Sequence, residues 1–149
     1  MNIQIRQGKA DDLPAVQTLV GELASFTGAS DQFVTTLEDY RADFAAGFFH
    51  FIVAEDMATN KVIGMCLYNF VYSTWKGRMI YLEDFVLQPA YRRKGIGQRL
   101  WDVLKERGRE RGCQLLKWQV IDSNPDAMKF YLAQGASIEE NWHNGKLAL

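Results

Sequence analysis

"YRRKGIGQRL", Tyr91–Leu100, sets three cationic side chains in front of two glycines one residue apart and then runs into an amphipathic segment. A P-loop needs GxxxxGK[ST], which is absent, and a dinucleotide fingerprint needs GxGxxG, where this chain has Leu100 in place of the third glycine. Both nucleotide motifs therefore fail on spacing. What remains is an apolar strand, "YLEDFVL", then a short basic loop whose glycines open a helix. Glycine lets the chain turn sharply and lets a ligand approach the backbone, while the helix start offers unpaired amides and a positive dipole end. Such a site suits a pyrophosphate, with Arg92, Arg93 and Lys94 adding charge around it.

The rest of the chain limits what can surround that loop. With 149 residues, 48% of them apolar and four tryptophans, the sequence fits one ordinary globular domain, residues 1–149, and neither a disordered nor a fibrous class. Cys66 and Cys113 lack CxxC spacing and a neighbouring histidine cluster, so the pattern predicts two buried thiols in a reducing cytoplasm and no metal site. Neither a basic-then-apolar leader nor a membrane-length apolar run is visible, and the expectation is a protein neither secreted nor inserted.

Net charge is −1, which argues against a dedicated nucleic-acid binder. It is unevenly spread: Met1–Asp84 holds 11 acidic and 6 basic residues, Phe85–Leu149 holds 7 and 11. An anion held by the C-terminal half and a cation met by the N-terminal half would suit that division; so would chance clustering on solvated faces.

Periodicity supplies the frame. "NIQIR" alternates as a strand, and "ADDLPAVQTLVGELASF" places Leu13, Val16, Leu19, Val20 and Leu23 at helical spacing behind an aspartate cap. "TTLEDYRADFAAG" predicts a second helix, with Thr35 and Glu38 as its capping box and Gly47 as its stop. Three β-rich runs follow, "FHFIVAED", "KVIGMCLYNFVY" and "RMIYLEDFVL", joined by the turns "MATN" and "STWKG". A helix from Gly95 to about Arg109 carries Ile96, Leu100, Val103 and Leu104 on one stripe. "QLLKWQVI" reads as a strand, "NPDAMKFYLAQG" as a helix stopped at Gly135, and "ASIEENWHNGKLAL" as a terminal hairpin. The predicted order is β-α-α-β-β-β-α-β-α-β-β, a mixed α/β fold on one sheet.

The Arg92-x-x-Gly95-x-Gly97 pattern between an apolar strand and an amphipathic helix resembles the acetyl-CoA signature of the GNAT superfamily of N-acetyltransferases, and the element order resembles that fold. "YSTWKGRMIYLEDFVLQPAYRRKGIG" together with "NPDAMKFYLAQGA" is similar to the diamine acetyltransferase branch, above all to its thialysine-acetylating relatives. The likeness runs from about Phe48 to Trp142. It implies a mostly antiparallel central sheet flanked by helices, and a homodimer. It also implies a CoA pyrophosphate held by the loop from Arg92 through Arg93, Lys94, Gly95, Ile96, Gly97 and Gln98, a pantetheine arm paired with the backbone of Phe85, Val86 and Leu87, and a contact from Asn124.

Acetyl transfer to an amine makes three chemical demands. An alkyl amine of pKa about 10.4 must lose a proton, a thioester carbonyl must be polarised, and the departing thiolate must be protonated. Glu83 and Asp84 are the carboxylates available to the amine. Adjacent strand residues point to opposite faces, so the two separate unless a bulge intervenes. The resemblance makes Glu83 the base, acting through water, and Asp84 the group that recognises the cation. Amides near Val86 suit the carbonyl. Tyr131 in "FYLAQGA" matches the family's general acid, although its neighbour Phe130 reads as core. Trp75 matches a substrate-side residue whose indole suits a cation.

Where polyamine-specific relatives carry an acidic residue two positions before that tryptophan, this chain has Ser73, which favours a lysine-like amine or a short diamine. A non-catalytic acyl-CoA-binding module would keep the glycine loop but need neither Tyr131 nor Glu83. His50 and His143 sit in no catalytic or metal spacing, and the glutamates within "KERGRERG" predict a solvated helix end.

Overall fold

The computed structural model describes all 149 residues, in two compact units, Met1–Gln119 and Val120–Leu149. The first carries a five-stranded sheet in the order β1 (Ile3–Gln7), β2 (His50–Asp56), β3 (Lys61–Ser73), β4 (Gly77–Leu87) and β5 (Leu115–Trp118). Pairing is antiparallel from β1 to β4: tight turns join β2 to β3 and β3 to β4, and β1 reaches β2 through two helices. β5 lies parallel to β4, because a helix intervenes.

Helices α1 (Leu13–Phe26) and α2 (Leu37–Ala45) cover one face of the sheet. Leu13, Val16 and Leu19 of α1 pack there against Phe51, Val53, Met65, Leu67 and Val86. The helical stripe expected of α1 is the one buried. Its cap differs: Asp12 makes no side-chain cap, and its carboxylate accepts from the Lys9 amide at 2.9 Å and from both terminal nitrogens of Arg6 at 2.8 Å. Arg6 also donates to Glu55 at 2.8 Å, so β1, β2 and the start of α1 share one ionic clasp.

α2 begins one residue later than expected. Thr36 accepts from the Asp39 amide at 3.1 Å and Asp39 accepts from the Thr36 amide at 2.8 Å, so the box is Thr36 with Asp39 and not Thr35 with Glu38. Both pairs satisfy the same sequence rule, and the helix start at Leu37 decides between them.

The opposite face holds α3 (Ile96–Glu110), through buried Ile96, Leu100, Trp101 and Leu104. Trp101 stacks on Phe85 of β4 with ring centroids 6.1 Å apart, and a side chain at Gly108 would press on Ile80. The basic end of α3 is laced by Lys105–Asp102 and Arg107–Glu110 pairs at 3.1 Å, as a solvated face should be.

The second unit carries α4 (Pro125–Ala133), stopped where Gly135 turns left-handed at φ 82°. The terminal hairpin expected at Ala136–Leu149 is not formed: this segment holds no strand, and Trp142 and Leu147 are exposed. A two-stranded ribbon is marginal without a third strand or an apolar face, and "ASIEENWHNGKLAL" supplies little of either.

Candidate active site

β4 carries the carboxylates, and its register explains their arrangement. Tyr68 pairs with Leu82 while the adjacent Leu67 pairs with Asp84, which leaves Glu83 as an inserted residue in a β-bulge. Counted forward from Tyr81, Glu83 falls on the face that α1 and α2 cover; counted back from Val86, Asp84 falls on that same face. The bulge thus puts side by side two neighbours that a regular strand would separate.

Their surroundings differ. Glu83 is exposed and Asp84 half-buried. Burial, with Glu83 adding to it, pushes the Asp84 carboxyl up to about 6. Burial also raises the Tyr81 and Tyr40 hydroxyls, with a smaller push from Glu83 on the first and from Asp84 on the second. Tyr40 of α2 and Tyr81 of β4 therefore share the carboxylate patch. Neither is evident from the sequence: Tyr40 looks like one more apolar position of α2, and Tyr81 like an ordinary strand aromatic.

From the bulge onward β4 keeps β3 beside it but loses β5. Pairing with β5 ends at Leu82 and Trp118, whereas β4 runs on to Leu87, so along Phe85, Val86 and Leu87 no strand occupies that edge. An extended ligand can pair with such an edge.

The glycine loop begins where β4 stops. The Arg92 Nε donates to the Leu87 carbonyl at 2.9 Å, folding the loop back on the strand that feeds it. Arg93 and Gly95 both adopt left-handed backbone, at φ 58° and 78°, and Arg93, Lys94 and Gly95 are exposed. Gly95 caps α3 without a side chain, and the first bond inside the helix is from the Arg99 amide to the Gly95 carbonyl at 3.2 Å. The amides of Ile96, Gly97 and Gln98 precede that bond. No acidic residue stands in the first turn to complement the dipole. A Cβ on Gly97 would meet only the Phe85 ring, at 3.8 Å, so packing within the chain does not demand glycine there.

The other expected site residues lie elsewhere. Trp75 is 82% exposed in the β3–β4 turn, with roughly 20 Å of strand between it and the bulge. The Ser73 hydroxyl braces that turn by accepting from the Trp75 amide at 3.3 Å and the Lys76 amide at 3.1 Å. Within the second unit, Asn124 caps α4 by accepting from the Ala127 amide at 3.2 Å, and Tyr131 is 7% exposed with its ring 5.7 Å from that of Phe130.

His50 lies between the Tyr68 and Phe70 rings, and burial lowers its basicity, in keeping with a structural residue. Cys66 is fully buried and its thiol is pushed up by that burial, whereas Cys113, expected to be buried, is only half so.

A sheet that splits after β4, a basic glycine loop at the next helix, and paired carboxylates on the splitting strand together define an acyl-transfer fold. The model of the acetyltransferase (GNAT) family matches residues 17–136, and the chain belongs to that family. It is an acetyltransferase, and enzymes of this family draw on acetyl-CoA. The chain is 39% identical over 152 residues to thialysine N-epsilon-acetyltransferase of Bos taurus, covering 95% of this chain and 89% of that protein. It is 36% identical to the Sus scrofa protein of the same name, covering 96% and 91%. Among solved structures, an aminoglycoside acetyltransferase from an uncultured soil metagenomic sample superposes with a TM-score of 0.80 at 18% identity, covering 99% of this chain and all of that one; at that identity the likeness concerns the fold.

Proposed function

We propose that this acetyltransferase moves the acetyl group of acetyl-CoA directly onto the terminal amine of a small lysine-like acceptor such as thialysine, in a ternary complex. The observation that carries this reading is the β4 bulge, which gathers Glu83 and Asp84 on one face and leaves Asp84 titrating near 6. The two thialysine acetyltransferases of similar length support the choice of amine.

In this reading the loop amides from Arg93 to Gln98 hold the pyrophosphate, with Arg92 and Lys94 adding charge. The free edge at Phe85, Val86 and Leu87 pairs with the pantetheine arm, and Asn124 contacts that arm from the cap of α4. Asp84 meets the incoming ammonium; Trp75, expected to offer its indole, stands too far along β4 to reach that cation within one chain. Glu83 accepts the ammonium proton through water. The amine nitrogen attacks the thioester carbon while an amide near Val86 stabilises the oxyanion; the carbon–sulfur bond then breaks, the Tyr131 hydroxyl protonates the leaving thiolate, and the proton shed by the new amide nitrogen restores that hydroxyl.

The family match runs across both compact units, which supports their working as one catalytic domain. Two free cysteines suit a cytoplasmic protein, and the diamine branch favours a homodimer. Locating the acetyl group in the product tests the assignment. Proton NMR after incubation with acetyl-CoA and thialysine should find it on the side-chain amine, and acetylation of the α-amine, or none, would refute it.

A further inference from the structure

The glycine loop is tied to the sheet at a point that the transfer chemistry leaves unused. Asp56 ends β2, opposite Ile3 of β1 and Lys61 of β3, and is only 7% exposed. Its Oδ1 accepts from the Ala58 amide at 3.0 Å, and its Oδ2 accepts from the Tyr91 hydroxyl at 2.8 Å. These bonds, the Tyr91 one foremost, hold the Asp56 carboxyl below the usual carboxylate range, and the same bond raises the Tyr91 hydroxyl. A carboxylate so little exposed is costly unless hydrogen-bonded, so the pair is mutually dependent.

Tyr91 stands immediately before Arg92, Arg93 and Lys94, and the Lys94 ammonium lies 6.0 Å from the centre of its ring. Within this turn the Tyr91 amide donates to the Gln88 carbonyl at 3.0 Å, the Arg92 amide to the Pro89 carbonyl at 3.2 Å and the Arg92 Nε to Leu87, while the Gln88 amide ties the start of the turn to the Ile63 carbonyl of β3 at 2.9 Å. The bond to Asp56 crosses 35 residues and reaches the rigid end of three strands. Two residues further on, Arg93 holds a left-handed φ of 58°. A non-glycine residue keeps that conformation only where its surroundings fix it.

We propose that Asp56 and Tyr91 are a positioning pair that presets the loop for the diphosphate of the acyl donor. This rests on the reading of Arg93–Gln98 as the diphosphate cradle. A preset loop orders less on binding and so binds more tightly; loosening it weakens the hold on the diphosphate while the thioester end, on β4, reacts as before.

Steady-state kinetics with two donors tests the pair: acetyl-CoA, and S-acetylpantetheine, which has the same thioester but no diphosphate. The wild-type protein should prefer acetyl-CoA. Tyr91→Phe, which removes one oxygen, should raise KM for acetyl-CoA roughly tenfold at unchanged kcat and leave kcat/KM for S-acetylpantetheine unchanged. Asp56→Asn keeps one acceptor and should fall between the two. A wild-type preference that survives both substitutions, or an equal loss on both donors, would reduce the pair to scaffold and overturn the proposal. A wild-type protein that does not distinguish the donors would instead overturn the diphosphate cradle, and the pair's role with it.

Discussion

Asp84 stands beside Glu83 in a β-bulge that turns both side chains toward α1 and α2, and its carboxyl is raised by burial first and by the Glu83 charge second. That shift has a measurable consequence for folding. A carboxyl whose folded pKa lies above its unfolded value of about 3.9 favours the fold fully below that value, and the contribution is lost as pH rises through the folded value, here about 6.

Asp84→Asn should therefore raise Tm at pH 8 by about 5 °C while leaving it unchanged near pH 4, and should weaken amine binding at pH 8 but not near pH 4, where the parent carboxyl is already neutral. Thermal melts across that range check the sign. A variant less stable than the parent at pH 8 would mean that the carboxylate is satisfied by a partner and is not held up by burial.

Gly95 and Gly97 should separate under mutation. Gly95 is left-handed, so Gly95→Ala should cost about 1 to 2 kcal/mol of stability. Gly97 has ordinary backbone and room for a Cβ, so Gly97→Ala should fold normally yet raise the acetyl-CoA dissociation constant at least about tenfold by crowding the diphosphate. Denaturant melts and calorimetric titration measure the two effects; unchanged affinity in Gly97→Ala would remove the helix start from the donor site.

Tyr131→Phe keeps the ring and deletes the proton. It should lower kcat by roughly a hundredfold with little change in acetyl-CoA affinity. A variant as fast as the parent would return Tyr131, already buried, to a packing role.

The loop and its helix were legible because they depend on local chemistry: Gly95 meets a backbone angle other residues resist, and Ile96, Leu100 and Leu104 repeat at helical spacing. The carboxylates were legible as residues but not as a pair, since "YLEDFVL" alternates evenly on paper and the inserted residue exists only in the pairing with Leu67 and Tyr68. Tyr40 and Tyr81 read as ordinary apolar positions of a helix and a strand, and only the tertiary structure brings Tyr40 near Asp84. At the C-terminus the reverse holds: "ASIEENWHNGKLAL" reads as a hairpin, yet it forms no strand, and Trp142 and Leu147 stay exposed. Local signals fix caps and turns, and register waits on tertiary pairing.

Ser73 braces the β3–β4 turn with a hydroxyl and brings no negative charge for a second, remote ammonium. Losing such a contact weakens a polyamine by roughly ten- to a hundredfold, while an amine carrying its own carboxylate is unaffected. Thiol release from acetyl-CoA, followed at one pH and ionic strength with thialysine, lysine, a short diamine, spermidine and spermine, measures this directly. The expected result is a kcat/KM for thialysine at least about tenfold above that for spermine; a clear preference for spermine, or no thiol release with any of the amines, would contradict it.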